Sequence, residues 1–287
     1  MIFALQDGSD RNTRTLAKPG DIEPLHVLRS EFHAILMKAA YTHGIKTLAG
    51  KKFVSLQEKG PEVVINFADG SLVTADFVIG ADGVHSAVRK CIFPDAPLPI
   101  VCGRGFVGEV ELGQYANGIT AQFDDPKALH MDPIGGNSFY HCTYAPNSVS
   151  FDIISFNHPD QQLPLDSNAN TDWSPVKNLS EERGNLARDV ESWGFKRNIV
   201  DNIRVAKQLT PLIVLDLPDL PQYYSSRVVL IGDAAHGILP TNGQGLNLAL
   251  EDAGTLGDLF GHFKNAQDPV PRVFELYERF ENRMYRA

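Results

Sequence analysis

Two all-apolar runs constrain this chain more than any other feature. FVIG, residues 77–80, is followed by Ala81 and Asp82, and RVVLIG, residues 227–232, is followed at once by Asp233. A strand with no polar alternation is one buried on both faces, as in a parallel sheet covered by helices. Ligands of such sheets bind outside the carboxyl ends of the strands, and each run delivers an aspartate there. Asp82 and Asp233 are thus placed to accept hydrogen bonds from sugar or polyol hydroxyls. Their small neighbours Gly80, Gly83, Gly232 and Ala234 let backbone approach a ligand. Either aspartate alone reads as a helix N-cap or turn former. The two together, with a different kind of segment between them, read as a ligand site.

That intervening segment has another texture. After PDAPLP, a linker, come GFVGEVEL, GITAQF, SFYHCTYA and VSFDIISF, whose alternation predicts a mostly antiparallel sheet. NHPDQQLPLDSNANTDWSP reads as an exposed excursion, and a helix is predicted from Glu181 to Trp193. On the N-terminal side, Phe32, Ile35, Leu36, Ala39 and Ala40 fall on one helix face, with Ser30 to start the helix and Gly44 to end it. Asp69 and Gly70 between apolar runs predict a hairpin. Near the C-terminus, Leu246, Ala249, Leu250, Ala253, Leu256 and Phe260 form the apolar stripe of a helix from Leu246 to Phe263, and a last helix starts near Arg272. The pattern predicts an α/β chain: a parallel-sheet domain interrupted by an antiparallel insert.

GRGFVG, Gly103 to Gly108, matches the dinucleotide fingerprint G-x-G-x-x-G letter for letter. The physics of that fingerprint requires a helix opening directly behind it, so that helix amides face a pyrophosphate. Here EVEL follows, which alternates like a strand. The segment therefore reads as a strand of the insert sheet.

Bulk properties exclude several classes. A net charge of −9 and a pI near 5.4 argue against nucleic acid as partner. No apolar run approaches the ~18 residues of a membrane span, and the N-terminus has no signal-peptide pattern, so a cytoplasmic location is expected. Cys91, Cys102 and Cys142 form no C-x-x-C pair, and no metal-ligand spacing occurs.

PTNGQGLN adds a turn bracketed by Gly243 and Gly245 that opens into the long helix, whose N-terminus can stabilise negative charge on a ligand. With GADGVHSAVR and GDAAH…PTNGQGLNLALEDA both present, the chain resembles the class A FAD-dependent monooxygenases, the group of p-hydroxybenzoate and salicylate hydroxylases and related epoxidases. The resemblance implies a partial Rossmann-like FAD-binding domain, residues 1–97 plus 220–287, interrupted by an antiparallel-sheet substrate domain, residues 98–219. It implies that Asp233 binds the ribityl chain of FAD. Pro240, Gly243, Gln244, Gly245 and Leu246 would border the isoalloxazine, Asp82 and Arg89 the pyrophosphate, and Arg29 would contact the flavin. His236 is expected to pack or cap. NAD(P)H would be the reductant and O2 the oxidant. An apolar or aromatic small molecule would be the substrate, near some of Phe123, Phe139, Tyr140, Tyr144, Phe151 and Phe156. No protein side chain is assigned to the chemistry itself.

The family begins with a strand, a glycine-rich turn and a helix; nothing before Arg29 resembles that unit, and FENRMYRA stops within the last helical region. The chain therefore reads as a family member cut at both ends. A catalytically silent product with impaired FAD binding, or another flavoprotein such as a reductase or halogenase, stays open beside the monooxygenase. Trp173 and Trp193 lie in no W-x-W-x-I-P string, which disfavours the halogenase.

Overall fold

The alternating segments fold into one wide sheet, and the two all-apolar runs pair with each other. The computed structural model describes residues 2–10, 12–13, 29–166, 173–239 and 243–285, in two compact units. The first comprises residues 1–46, 102–162 and 168–214, the second residues 47–101, 163–167 and 215–287.

In the first unit, β1 (Ile2–Leu5), β2 (Asn12–Thr13), β7 (Ile100–Glu111), β10 (Lys127–Asp132), β11 (Asn137–Ala145) and β12 (Ser148–Phe156) lie in the order β7-β12-β11-β10-β1-β2. β14 (Gln208–Asp216) pairs with β7 as well, and β8 (Gly113–Gln114) and β9 (Thr120–Ala121) form a small separate ribbon. The first residues of β7 pair with β13 (Leu163–Pro164), where the chain belongs to the second unit. One sheet face is covered by α3 (Leu179–Ser192) and α4 (Arg197–Arg204): Phe139, Phe151 and Ile153 pack there with Leu186, Val190, Ile199 and Ile203. Successive strand residues point to opposite faces, so Tyr140, Cys142 and Asp152 stand on the other side.

GRGFVG is the middle of β7. Gly103, Gly105 and Gly108 face Phe156, Ile154 and Phe151 of β12 in register. A Cβ would meet the Ser155 carbonyl oxygen at 2.7 Å from Gly103, the Ile153 carbonyl oxygen at 1.8 Å from Gly105, and the Phe151 ring at 2.3 Å from Gly108. These glycines permit close approach of a neighbouring strand and ring, and none stands at a helix N-terminus.

α1 (Arg29–Thr42) forms where its spacing predicts, and the following Gly44 adopts φ 70°. Its apolar face is not covered by the described residues: Ile35 is 62% exposed and Leu36 46%.

The second unit holds β6 (Val78–Gly80) and β15 (Val228–Leu230), which pair in parallel with Leu230 opposite Gly80. β3 (Phe53–Lys59), β4 (Glu62–Phe67) and β5 (Leu72–Ala75) form an antiparallel meander, with Gly70 at φ 78° in the β4–β5 turn. The helices are α2 (Ala87–Ile92), the single turn α5 (Asp233–His236), α6 (Gly245–His262) and α7 (Val270–Tyr285). Val63, Val88, Val228, Leu230 and Ala234 make one core cluster; Val229, Leu256, Val273, Phe274 and Tyr277 make another. Arg227, just before β15, is tied to Asp268 before α7, with Nη1 donating to Oδ1 at 2.9 Å, and this contact lowers the Asp268 pKa. No helix among the described residues is long and apolar enough to cross a membrane.

Candidate functional site

The parallel pairing of β6 and β15 decides where the two aspartates go. Leu230 stands opposite Gly80, and the Ile231 amide donates to the Gly80 carbonyl at 3.0 Å. Both strands therefore end at one edge, and the turns carrying Asp82 and Asp233 leave side by side. Gly80 is fixed by packing: a Cβ there would lie 2.8 Å from the side chains of Leu230 and Val88.

Asp82 caps α2. Its carboxylate accepts from the Ser86 hydroxyl at 2.5 Å and from the amides of Ala87 at 2.7 Å and Val88 at 3.1 Å, while the Ser86 hydroxyl accepts from the Arg89 amide at 2.8 Å. A capping aspartate of this kind is worth roughly 1–2 kcal/mol. Asp82→Ala should lower unfolding stability by about that amount, measured by chemical denaturation; a change within error would remove the capping role.

Asp233 is exposed, and its carboxylate makes no hydrogen bond or ion pair with a described residue. It is near the start of α6: a Cβ on Gly245 would sit 3.8 Å from Asp233 Oδ1. The first amides of a helix lack intrahelical acceptors and carry its positive dipole end. Gly243 adopts φ 62° with open space around it, and Gln244 precedes the first turn.

The turn between β15 and α5 is held from beneath by a residue that sequence reading missed. Asp252 of α6 is fully buried; its Oδ2 accepts from the Gly232 amide at 2.6 Å and contacts His236 Nε2 at 2.9 Å. Gly232 adopts φ 54°, and a Cβ there would lie 3.1 Å from the Ala249 Cβ. His236 is therefore a buried packing and hydrogen-bonding residue, as its loop position predicts. The signal for Asp252 lay in helical phase. It falls three residues after Ala249 and four before Leu256, on the buried side, whereas Leu246, Leu250 and Ala253 of the predicted stripe are exposed.

Arg89 is only 3% exposed, and its guanidinium donates to the carbonyls of Ala235 and Pro218, each at 2.7 Å. Burial lowers its pKa from the ordinary arginine value. It braces α2 against the segments flanking α5. Arg29 is exposed at the first position of α1, in the first unit. Leu246 is exposed in the first turn of α6. Pro240 lies outside the described residues.

The sequence profile of a family described as "FAD binding domain" matches residues 11–97 and 220–270. A salicylate hydroxylase from Pseudomonas putida is 29% identical over 298 residues, which span 96% of this chain and 63% of that protein. A 3-amino-4-hydroxybenzoate 2-monooxygenase from Streptomyces cremeus is 28% identical over 86% of this chain and 56% of its own length. Among solved structures, CtdE in complex with FAD and a substrate superposes with a TM-score of 0.79 at 18% identity, covering 98% of this chain and 68% of that one.

The chain is similar to the class A FAD-dependent monooxygenases.

It spans between about half and two thirds of the length of these curated relatives. The cofactor of this family is FAD, and the residues at the strand edge fit it. Asp233 offers a polyol hydroxyl an acceptor with no partner among the described residues, the α6 amides offer donors to an acceptor edge of a ring, and Gly83 and Gly243 leave open space for backbone approach. Within the first unit, the structure divides the aromatics of the insert between two sheet faces. Phe139 and Phe151 are buried on the helix-covered face, and Phe123 stacks on His141 of that face with ring centroids 3.9 Å apart. Burial lowers the pKa of His141 to about 4, so this ring packs neutral. Tyr140 stands on the opposite face.

Proposed function

We propose that the chain is the FAD-binding and substrate-binding part of a monooxygenase that inserts one oxygen atom of O2 into an aromatic or apolar small molecule, with NAD(P)H as reductant. The observation that carries this reading is the Asp233 carboxylate, exposed and without a partner among the described residues, beside the N-terminus of α6 at the parallel strand edge that also bears Asp82. Bound FAD supplies the redox and oxygen-transfer chemistry. The protein's part is to hold and orient the ring and to keep water away.

In this proposal Asp233 binds the ribityl hydroxyls, and the Gly245 and Leu246 amides face the pyrimidine edge of the ring, with Gly243 and Gln244 beside them. Asp82 orders the pyrophosphate side through the α2 turn, and Arg89 braces that turn. Residues 1–97 plus 220–287 serve the cofactor and residues 98–219 the substrate. The named relatives hydroxylate salicylate and an aminohydroxybenzoate, which supports a ring substrate here. Tyr140 and its neighbours on the open sheet face are the surface proposed for it, replacing Phe139 and Phe151.

Incubation with NADH or NADPH, isotopically labelled O2 and a panel of aromatic compounds tests the reading. One labelled oxygen atom in a product supports it; reductant consumption with no oxygenated product across the panel contradicts it. Asp233→Ala should leave the fold intact and weaken FAD binding about tenfold or more, the worth of a hydrogen bond to a charged group. Flavin-fluorescence titration measures this, and equal affinity of variant and parent rejects the assignment.

A further inference from the structure

Asp152 sits in the middle of β12, a strand paired on both sides. Register places it directly opposite Tyr140 on β11 and Val107 on β7. On its own strand Ser150 and Ile154 flank it on the same face, and the diagonal positions are Cys142 and Ser138 on β11 and Glu109 and Gly105 on β7. No cation is among these neighbours. Lys127, the nearest lysine by register on that face, stands opposite Cys142, two strands away, and Lys207 is engaged by Glu109 and Glu111. The Asp152 carboxylate makes no hydrogen bond or ion pair with a described residue. Asp152 is half-buried; aspartate is disfavoured in strand interiors, and a carboxyl drawn partly out of water without a partner among the described residues costs stability. Such a group marks a functional position.

We infer that Asp152 determines substrate specificity: the ring bound on this sheet face presents a hydroxyl or amine hydrogen to Asp152 and carries no carboxylate at that position. This rests on the proposed reading of the sheet face as a substrate surface, and narrows it. A ligand N–H or O–H supplies the partner that no described residue supplies. A ligand carboxylate meets like charge with no cation among the described register neighbours to offset it, which is discrimination by repulsion. Burial raises the Asp152 pKa to about 7, so the repulsion strengthens as pH rises through neutrality. The Tyr140 phenol beside it is held neutral by burial, which raises its pKa.

Isothermal titration of the full chain with phenol and with benzoate, above neutral pH, tests the inference. The parent should bind phenol at least about tenfold more tightly than benzoate, and Asp152→Asn, which removes the charge, should shrink that gap below about threefold. If the asparagine variant does not fold, Asp152→Ser carries the same comparison. Benzoate bound as well as phenol by the parent, an unchanged gap in the variant, or no saturable phenol binding in the millimolar range would each overturn it. Heat of binding needs neither flavin reduction nor turnover. An Asp152-dependent gap without oxygenated product therefore defeats the monooxygenase proposal alone, and oxygenation with an unchanged gap defeats this inference alone.

Discussion

Gly105→Ala should cost the first unit about 3 kcal/mol or more, the upper range for an inserted methyl that cannot be accommodated. Gly105 sits in β7 opposite Ile154, and a Cβ built on it would lie 1.8 Å from the Ile153 carbonyl oxygen and 2.8 Å from its carbon. These are backbone atoms of a strand paired on both sides, so no side-chain rotation relieves the overlap; β7 and β12 must separate. The comparison is Gly184→Ala, in α3, where a Cβ meets nothing within 4 Å. There alanine should be neutral or stabilise by roughly 0.5–1 kcal/mol, because it lowers the conformational entropy of the unfolded chain. Urea unfolding followed by circular dichroism measures both. Equal, small effects at the two sites would show that the GRGFVG glycines are not set by close strand packing.

Asp252→Ala should be the most damaging single change in the second unit, at about 2–4 kcal/mol, because it leaves a buried amide without its acceptor. The Asp252 carboxylate joins α6 to the Gly232 amide and to His236, and it is fully buried. Gly232 is held at φ 54° between β15 and α5, so loss of its anchor frees the turn that presents Asp233. Stability and FAD affinity should therefore fall together, whereas Asp233→Ala lowers affinity alone. Asp252→Asn keeps the shape and one acceptor oxygen and should lose less. His236→Ala breaks the same link, so its effect should not add to that of Asp252→Ala. Strict additivity in the double variant, measured by denaturation, would contradict the coupling.

Much of this architecture is written in local pattern. RVVLIG is buried on both faces as its apolar run predicts and pairs in parallel with FVIG, which sets Asp82 and Asp233 on one edge, although Ile79 of FVIG is 42% exposed among the described residues. Asp69 and Gly70 form their hairpin because the Asp69 carboxylate accepts the Ser71 amide at 3.0 Å, and Gly70 takes a left-handed φ. The family fingerprint string in β7 was separable from a phosphate site because EVEL continues a strand.

Other features depend on tertiary partners that pattern does not name. Alternation in SFYHCTYA shows that Phe139 and Tyr140 face opposite ways, yet which face the helices cover depends on α3 and α4, far along the chain. α4 is one such element: eight residues with no side-chain cap, although Ile199, Val200 and Ile203 are buried. Asp252 escaped because a charge on a helix reads as solvent-facing until its acceptor role in the turn is known. Asp152 escaped for the converse reason. Within VSFDIISF it looks like the polar half of an alternating strand, and only the cross-strand register shows that no cation answers it.

The central claim is that the strand edge bearing Asp82 and Asp233, with the N-terminus of α6, holds FAD. Titration of the purified full chain with FAD, followed by flavin-fluorescence quenching and the visible absorption spectrum, tests it most directly. Saturable quenching and a bound-flavin spectrum, both weakened by Asp233→Ala, are the predicted result. A well-folded, colourless chain that takes up no added FAD would contradict it.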